Sequence, residues 1–424
     1  MSDLNRVFIT GRSALTASGA TADETWKSIL TGTSGIDEIK QWDLSQWSHR
    51  LGGELKDFQP AKMLPDRKLI KVISRQDVMG INAAVQAVEH SEMISYRDSL
   101  ASKELFNDET AVYVGSPGNK YFQQYDFLPL LAKSQGDMQQ FANQLFDEVH
   151  PMWLLRILPN NVLAYTGITY GFKGPNHNIT NHAVGGTQAL LEAYHAIRTG
   201  QAARAVVVAY DMGIEPQALF YYKQLGVVSE RHLKPFDSEH DGTLLAEGAA
   251  ALVLESEASV LERSGRCYGE IIGGLSASEA CGLFSLEAEG QHLTSLIENT
   301  LDAAQLSKND VGLVVAHGNG NTKSDISEAK AINQVFTNDV PVTAFKWSMG
   351  HTLCASGVLD AVMTTYALEK NCAPGIANLN SVASTCGDIS VRSSHQKIKP
   401  DSCALMINRG FASMNACLLV KACD

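Results

Sequence analysis

Residues 234–255 read KPFDSEHDGTLLAEGAAALVLE. The first part is polar and turn-forming. The last part, Ala249–Glu255, is an apolar run of strand length. Such a run without alternation reads as a strand covered on both faces. Upstream of it, Arg6–Gly11 (RVFITG), Thr110–Val114 and Ala205–Ala209 (AVVVA) are similar strand-like runs. Helical patterns alternate with them at Asp23–Thr31, Gln76–His90 and Thr187–Thr199, with Thr21 placed to cap the first and Gly200 to end the third. Downstream, Gly269–Gly274, Leu313–Ala316 and Ala416–Lys421 read as strands, and Leu293–Ala304 and Ala355–Glu369 as helices. Alternation of this kind predicts an α/β sheet covered by helices. The order repeats after residue 255, so the chain divides into halves 1–255 and 256–424. No linker rich in Pro, Gly or Ser separates them.

The chain has 424 residues, 45% hydrophobic and 19% charged, which excludes wholesale disorder. The formal charge of −12 argues against gripping a phosphate backbone. No apolar run approaches the roughly 18 residues of a membrane span. The start, MSDLNRVFITG, lacks the basic-then-apolar pattern of a signal peptide, so a cytoplasmic location is expected. All eight cysteines lie beyond residue 266 and none forms a CxxC pair. Buried thiols are expected, and neither a metal site nor a nucleotide-binding loop.

Five stretches, taken in order, resemble the β-ketoacyl synthases of the thiolase superfamily. They are RVFITG with TWKSILTGTSGI, residues 234–255, AHGNGNTKSDISEAKAI (Ala316–Ile332), KWSMGHTLCASG (Lys346–Gly357) and NRGFASMNACLLV near the C-terminus. The resemblance implies a thiolase fold with a duplicated αβαβα layered core. It also implies a carrier-protein substrate whose acyl chain arrives on phosphopantetheine, with no other cofactor. In that family a cysteine thiolate at a helix N-terminus takes the acyl chain. Two histidines decarboxylate a malonyl unit and hold its enolate. Those histidines match His317 and His351, the accompanying lysine matches Lys346, and the acidic pair matches Asp325 and Glu328.

The cysteine is missing. Anchored on Gly174–Pro175 and Gly200, the nucleophile position falls on Ala183 without a gap. A one-residue slip would bring His182 there, and neither residue supplies a thiol. Cys354, just after His351, is the one cysteine close to a matched histidine. Other family positions also change. Asn319 and Asn321 stand where threonines contact the pantetheine arm. Arg409 stands at the gating phenylalanine, two residues before Phe411, and Ala412–Ser413 replace a flexible glycine pair.

This pattern resembles the chain-length factors of type II polyketide systems, and within them the ketosynthase-like subunits of aryl polyene clusters. The resemblance implies a non-catalytic chain that pairs with an active β-ketoacyl synthase and shapes the tunnel for the growing chain. The tunnel-floor positions match Tyr121, Phe122, Tyr125 and Phe127, with Met152 and Trp153 nearby. Each also reads as ordinary helix core. The basic run Asp66–Arg75 matches a carrier-docking surface and reads equally as a solvated helix face. The alternative activity is malonyl-carrier-protein decarboxylation by His317 and His351 without an acyl-cysteine.

Overall fold

The computed structural model describes residues 4–118, 120, 125, 127–336 and 338–423. Its main sheet has ten strands: β1 (Val7–Leu15), β2 (Thr110–Gly115), β3 (Asn176–Ile179), β4 (Arg204–Met212), β5 (Glu247–Ser256), β6 (Gly269–Ser278), β7 (Val311–Val315), β8 (Val342–Thr343), β9 (Cys403–Gly410) and β10 (Met414–Lys421). The spatial order is β8-β7-β9-β10-β6-β1-β5-β4-β2-β3. Counted outward from the centre, the first half runs β1, β5, β4, β2, β3 and the second runs β6, β10, β9, β7, β8. The two orders correspond strand for strand. So do the pairings: the three inner strands of each half are antiparallel and the outer ones parallel. Among the described residues, the sheet's two halves are joined where Val7–Ile9 pairs with Gly269–Ile271. This is the duplicated thiolase arrangement that the sequence predicts.

Helices α3 (Gly185–Arg198) and α6 (Ser356–Glu369) touch each other and the strands of both halves, so they form the central layer. α1 (Arg75–Ser91) covers the outer face of the first half, and α4 (Gln291–Ala303) with α5 (Thr322–Val335) covers the second. Strand alternation accounts for the layers. On β4, Val206, Val208 and Tyr210 pack toward α1, while Ala205, Val207 and Ala209 pack toward the central helices. Both faces are apolar, which is why the sequence shows an unbroken run there.

The N-termini of α3 and α6 approach closely enough to need glycine. A Cβ on Gly186 would lie 2.5 Å from the Cys354 carbonyl oxygen, and one on Gly357 would lie 2.1 Å from Thr187 Oγ1. The Gly185–Gly186 pair therefore has a packing reason.

The cysteines depart from the expectation of eight buried thiols. Cys267 and Cys423 are joined as a disulfide that ties the end of the chain to the start of β6. Cys281 is exposed and Cys372 half-buried, while Cys354, Cys386, Cys403 and Cys417 are buried. Among the described residues, no helix is long and apolar enough to cross a membrane.

Candidate active site

The centre of the molecule holds a cavity of about 580 Å³. Three histidines line it: His182, His317 and His351. His317 follows β7, and its loop is fixed by Glu328 on α5, whose carboxylate accepts the His317 and Gly318 amides at 2.7 and 3.0 Å. Burial pushes the Glu328 carboxyl up to about 7, partly offset by Arg409 and these two bonds. Asp325, one turn earlier, accepts the Phe236 and Gly320 amides and a contact from His240 Nδ1 at 3.1 Å. The two acids therefore hold loops and leave the chemistry to others.

The backbone of His351 bridges Leu244 and Ala246 at 2.8 and 3.0 Å. Its ring meets the His317 ring edge to face, centroids 5.1 Å apart. Burial holds both imidazoles well below their ordinary pKa, and the nearby Lys346 charge pushes the same way. Both are neutral at pH 7. The Arg409 amide donates to His317 Nδ1 at 3.3 Å, so the His317 proton belongs on Nε2. Lys346 Nζ donates to Asp360 Oδ2 at 2.9 Å, and Asn408 Nδ2 donates to the same oxygen at 3.0 Å. The lysine is fully buried, and this carboxylate and amide enclose its head. The partners Asp360 and Asn408 carry no signal in the sequence that connects them to Lys346.

The gapless register puts the lost nucleophile on Ala183 and the one-residue slip puts it on His182, and the structure turns these two residues in different directions. His182 and Leu353 occupy equivalent elbows in the two halves, with φ of 48° and 45°, each opening a single 3-10 turn that leads into α3 or α6. Ala183, one residue past the first elbow, is turned into the core with no exposure. His182 is the residue presented to the cavity.

His182 is built into an aromatic stack. Its ring lies 4.2 Å from Phe411 and 6.1 Å from Tyr222, nearly parallel to both. The Phe411 amide donates to Nδ1 at 3.1 Å, which leaves Nε2–H to donate to the Tyr222 hydroxyl at 2.5 Å. Burial lowers the His182 pKa to about 4. Nothing in the segment FYYKQ marks Tyr222 in advance.

Arg409 is not a mobile gate. It is 2% exposed, and its guanidinium pairs with Glu279 at 2.7 Å and donates to the Ser324 carbonyl and Asn415 Oδ1, both at 3.0 Å. Its head is held beneath the segment 279–288 that roofs the cavity. Phe411 instead presents its ring there, with Phe284 edge-on at 5.1 Å. Asn319 and Asn321 both line the cavity. Asn321 caps α5 by accepting the Ser324 amide, and Asn319 Oδ1 accepts the Asn321 amide.

The aromatic floor candidates do not converge. Tyr121 and Phe122 lie outside the described residues. The Tyr125 hydroxyl donates to Glu215 at 2.9 Å and accepts the Gln217 amide. Phe127 packs edge-on against Trp153 at 5.4 Å, and Met152 is exposed. None of these four lines the histidine cavity. In the basic run, Arg67, Lys68 and Lys71 are exposed, whereas Arg75 pairs with Glu247 and stacks on Phe58.

Two family models match in succession: the N-terminal domain of β-ketoacyl synthase over residues 4–259 and its C-terminal domain over 268–380. The chain belongs to the β-ketoacyl synthase family. It is 27% identical to 3-oxoacyl-[acyl-carrier-protein] synthase 2 of Synechocystis sp. and 26% identical to the enzyme of that name from Coxiella burnetii, each over 98% of both chains. Solved structures share the fold. The ishigamide ketosynthase/chain length factor superposes with a TM-score of 0.87 at 21% identity, over 99% of this chain and 100% of that one. A β-ketoacyl synthase from Burkholderia phymatum superposes with the same score at 23% identity and the same coverage. In this ketosynthase scaffold the cavity has the histidines, and among the described residues no cysteine lines it. Cys354 is fully buried against Gly185, and burial beside Asp211 raises its thiol pKa well above the ordinary value.

Proposed function

We propose that this chain is a ketosynthase-like subunit that does not condense on its own. It pairs with an active β-ketoacyl synthase, receives no acyl chain itself, and limits the chain held in the partner's tunnel. The observation that supports this reading is the elbow: an imidazole packed on Phe411 and bonded to the Tyr222 hydroxyl faces the cavity, and among the described residues no thiol does. A thioester intermediate needs a nucleophile with an accessible lone pair and an open face. His182 has Nδ1 engaged by Phe411 and Nε2–H by Tyr222, so it offers neither. A type II polyketide system of the aryl polyene kind, with an acyl carrier protein as third component, is the setting proposed. The test is co-expression with a ketosynthase from the same gene neighbourhood, with a tag on one chain only and native mass measured. A 1:1 heterodimer is expected. A homodimer that leaves the ketosynthase behind would overturn the reading.

A second reading is favoured by one observation. His317 and His351 remain paired, neutral and open to the cavity. Malonyl carrier protein could lose its carboxylate there as carbon dioxide. The electron pair would pass to an enolate whose oxygen accepts from His317 Nε2–H, and a proton from water would complete acetyl carrier protein. Carbon dioxide release that is abolished by His317→Ala supports this reading; no release above background removes it.

A further inference from the structure

Cys267 and Cys423 are separated by 156 positions in the chain, yet their Cα atoms lie 6.0 Å apart and their sulfurs are joined. That Cα distance is ordinary for a disulfide. Strand pairing brings the two together. β6 and β10 run antiparallel through eight residue pairs, from Met414 opposite Ser278 to Lys421 opposite Glu270. Cys423 follows the end of that ladder and Cys267 precedes it. The ladder therefore sets the thiols side by side and does not need the bond to hold it.

The place of the bond gives it reach. Gly269–Ile271 is the stretch of β6 that also pairs with β1 and joins the two halves of the sheet. Next to it the Tyr268 amide donates to the Ile9 carbonyl at 2.8 Å, and Arg6 donates to Glu270 at 2.9 and 2.7 Å. Strand β6 opens the second half and β10 closes it. A bond between their outer ends makes residues 267–423 one covalent ring, which contains both His317 and His351. Closing so long a loop removes many conformations from the unfolded chain and few from the folded one.

The other cysteines show what kind of bond this is. Six remain free thiols, and Cys281 among them is exposed. Chains built for an oxidising compartment pair their exposed cysteines. Cys354, Cys386, Cys403 and Cys417 are buried, and burial raises each thiol pKa, which keeps them from reacting as thiolates. Cys267 and Cys423 are only half-buried, so a small thiol can reach their bond.

We propose that Cys267 and Cys423 form a reversible redox clasp on the second half, closed by a small disulfide such as oxidised glutathione and opened by the corresponding thiol. On closing, one cysteine thiolate attacks the small disulfide, forms a mixed disulfide and expels one small thiolate. The other cysteine thiolate then attacks the protein sulfur of that mixed disulfide and expels the second. Two electrons pass from the cysteine pair to the small disulfide, and the two cysteine protons end on the two small thiols. The clasp acts on stability, so it holds for a partner subunit and for a decarboxylase alike.

The test equilibrates the full chain in glutathione buffers from fully reduced to fully oxidised. Free thiols are blocked with a maleimide and counted by mass spectrometry, the linked peptide is mapped, and thermal melting follows each sample. The wild type should pass from eight free thiols to six within that range, with Cys267 linked to Cys423. Its melting midpoint should rise by about 4 °C or more on closing. Cys267→Ser and Cys423→Ser should melt at the reduced wild-type midpoint in every buffer. A pair that stays joined in the fully reduced buffer would overturn reversibility. A pair that never joins, or joins without moving the midpoint, would overturn the clasp. So would a redox-dependent midpoint that persists in either serine variant.

Discussion

The Phe411 amide donates a hydrogen bond to His182 Nδ1 across 3.1 Å, with the two rings stacked 4.2 Å apart. An amide aimed at an elbow side chain is the kind of donor that could hold an oxyanion. Here it is occupied by the His182 side chain.

His182→Cys should release that amide and put a thiol at the start of α3, facing His317 and His351. Ala183→Cys should bury its thiol in the core, because Ala183 has no exposure. Mass spectrometry after brief iodoacetamide treatment checks this. One adduct beyond the wild-type pattern is expected for His182→Cys and none for Ala183→Cys. The reverse result would restore the gapless register.

Arg409 and Glu279 form a fully buried pair at 2.7 Å, further bonded through Asn415. Removing one partner strands the other charge, so Glu279→Ala should cost about 3–5 kcal/mol. The double variant Arg409→Met/Glu279→Leu should cost clearly less than the sum of the single changes. Urea unfolding measures both. Strict additivity would mean that the pair does not couple the 279–288 roof to β9.

Stability should fall as pH drops from about 6.5 to about 4. His182 has a folded pKa of about 4 because it is buried, against an ordinary unfolded value near 6.5. Above that window both states are neutral and the group has no effect. Within it the unfolded chain takes up a proton that the folded chain refuses, so unfolding gains at most about 3 kcal/mol from this residue. His317 and His351 act in the same direction. Urea midpoints at pH 7.5 and pH 5 should differ less in His182→Phe than in the wild type. An unchanged difference would place the effect in the other two histidines.

What could be read from the sequence follows from which interactions are local. β4 and β5 were legible because both of their faces are buried, which leaves apolar runs in the chain. His317, His351 and Lys346 were legible because each sits inside a motif with fixed spacing. The elbow was not, because φ of 48° at His182 is a three-dimensional fact about a strand meeting a helix. Arg409 read as a gate since its partner Glu279 lies 130 residues away. The bond between His182 and Tyr222 was hidden for the same reason, since the two lie 40 residues apart in the chain.

The last prediction concerns the proposed pairing. Among the described residues β3 is the edge of the sheet and pairs with β2 as its one neighbouring strand, so one row of its backbone groups faces outward. Asn178 on this strand has a buried Oδ1 with no partner among the described residues. Beside β3 lies α2 (Asn161–Tyr170), whose Ile168 is 72% exposed, and the preceding turn Trp153–Arg156 exposes Leu154 and Leu155. An open strand edge flanked by exposed aliphatic side chains is a surface suited to a second subunit. Ile168→Glu should therefore weaken the heterodimer by about 2 kcal/mol, close to thirtyfold in Kd. Leu261→Glu is the control, equally exposed but on the helix Glu257–Arg263. Analytical ultracentrifugation of the co-purified pair should show dissociation in the first variant and none in the second. Equal behaviour of the two would move the interface off β3.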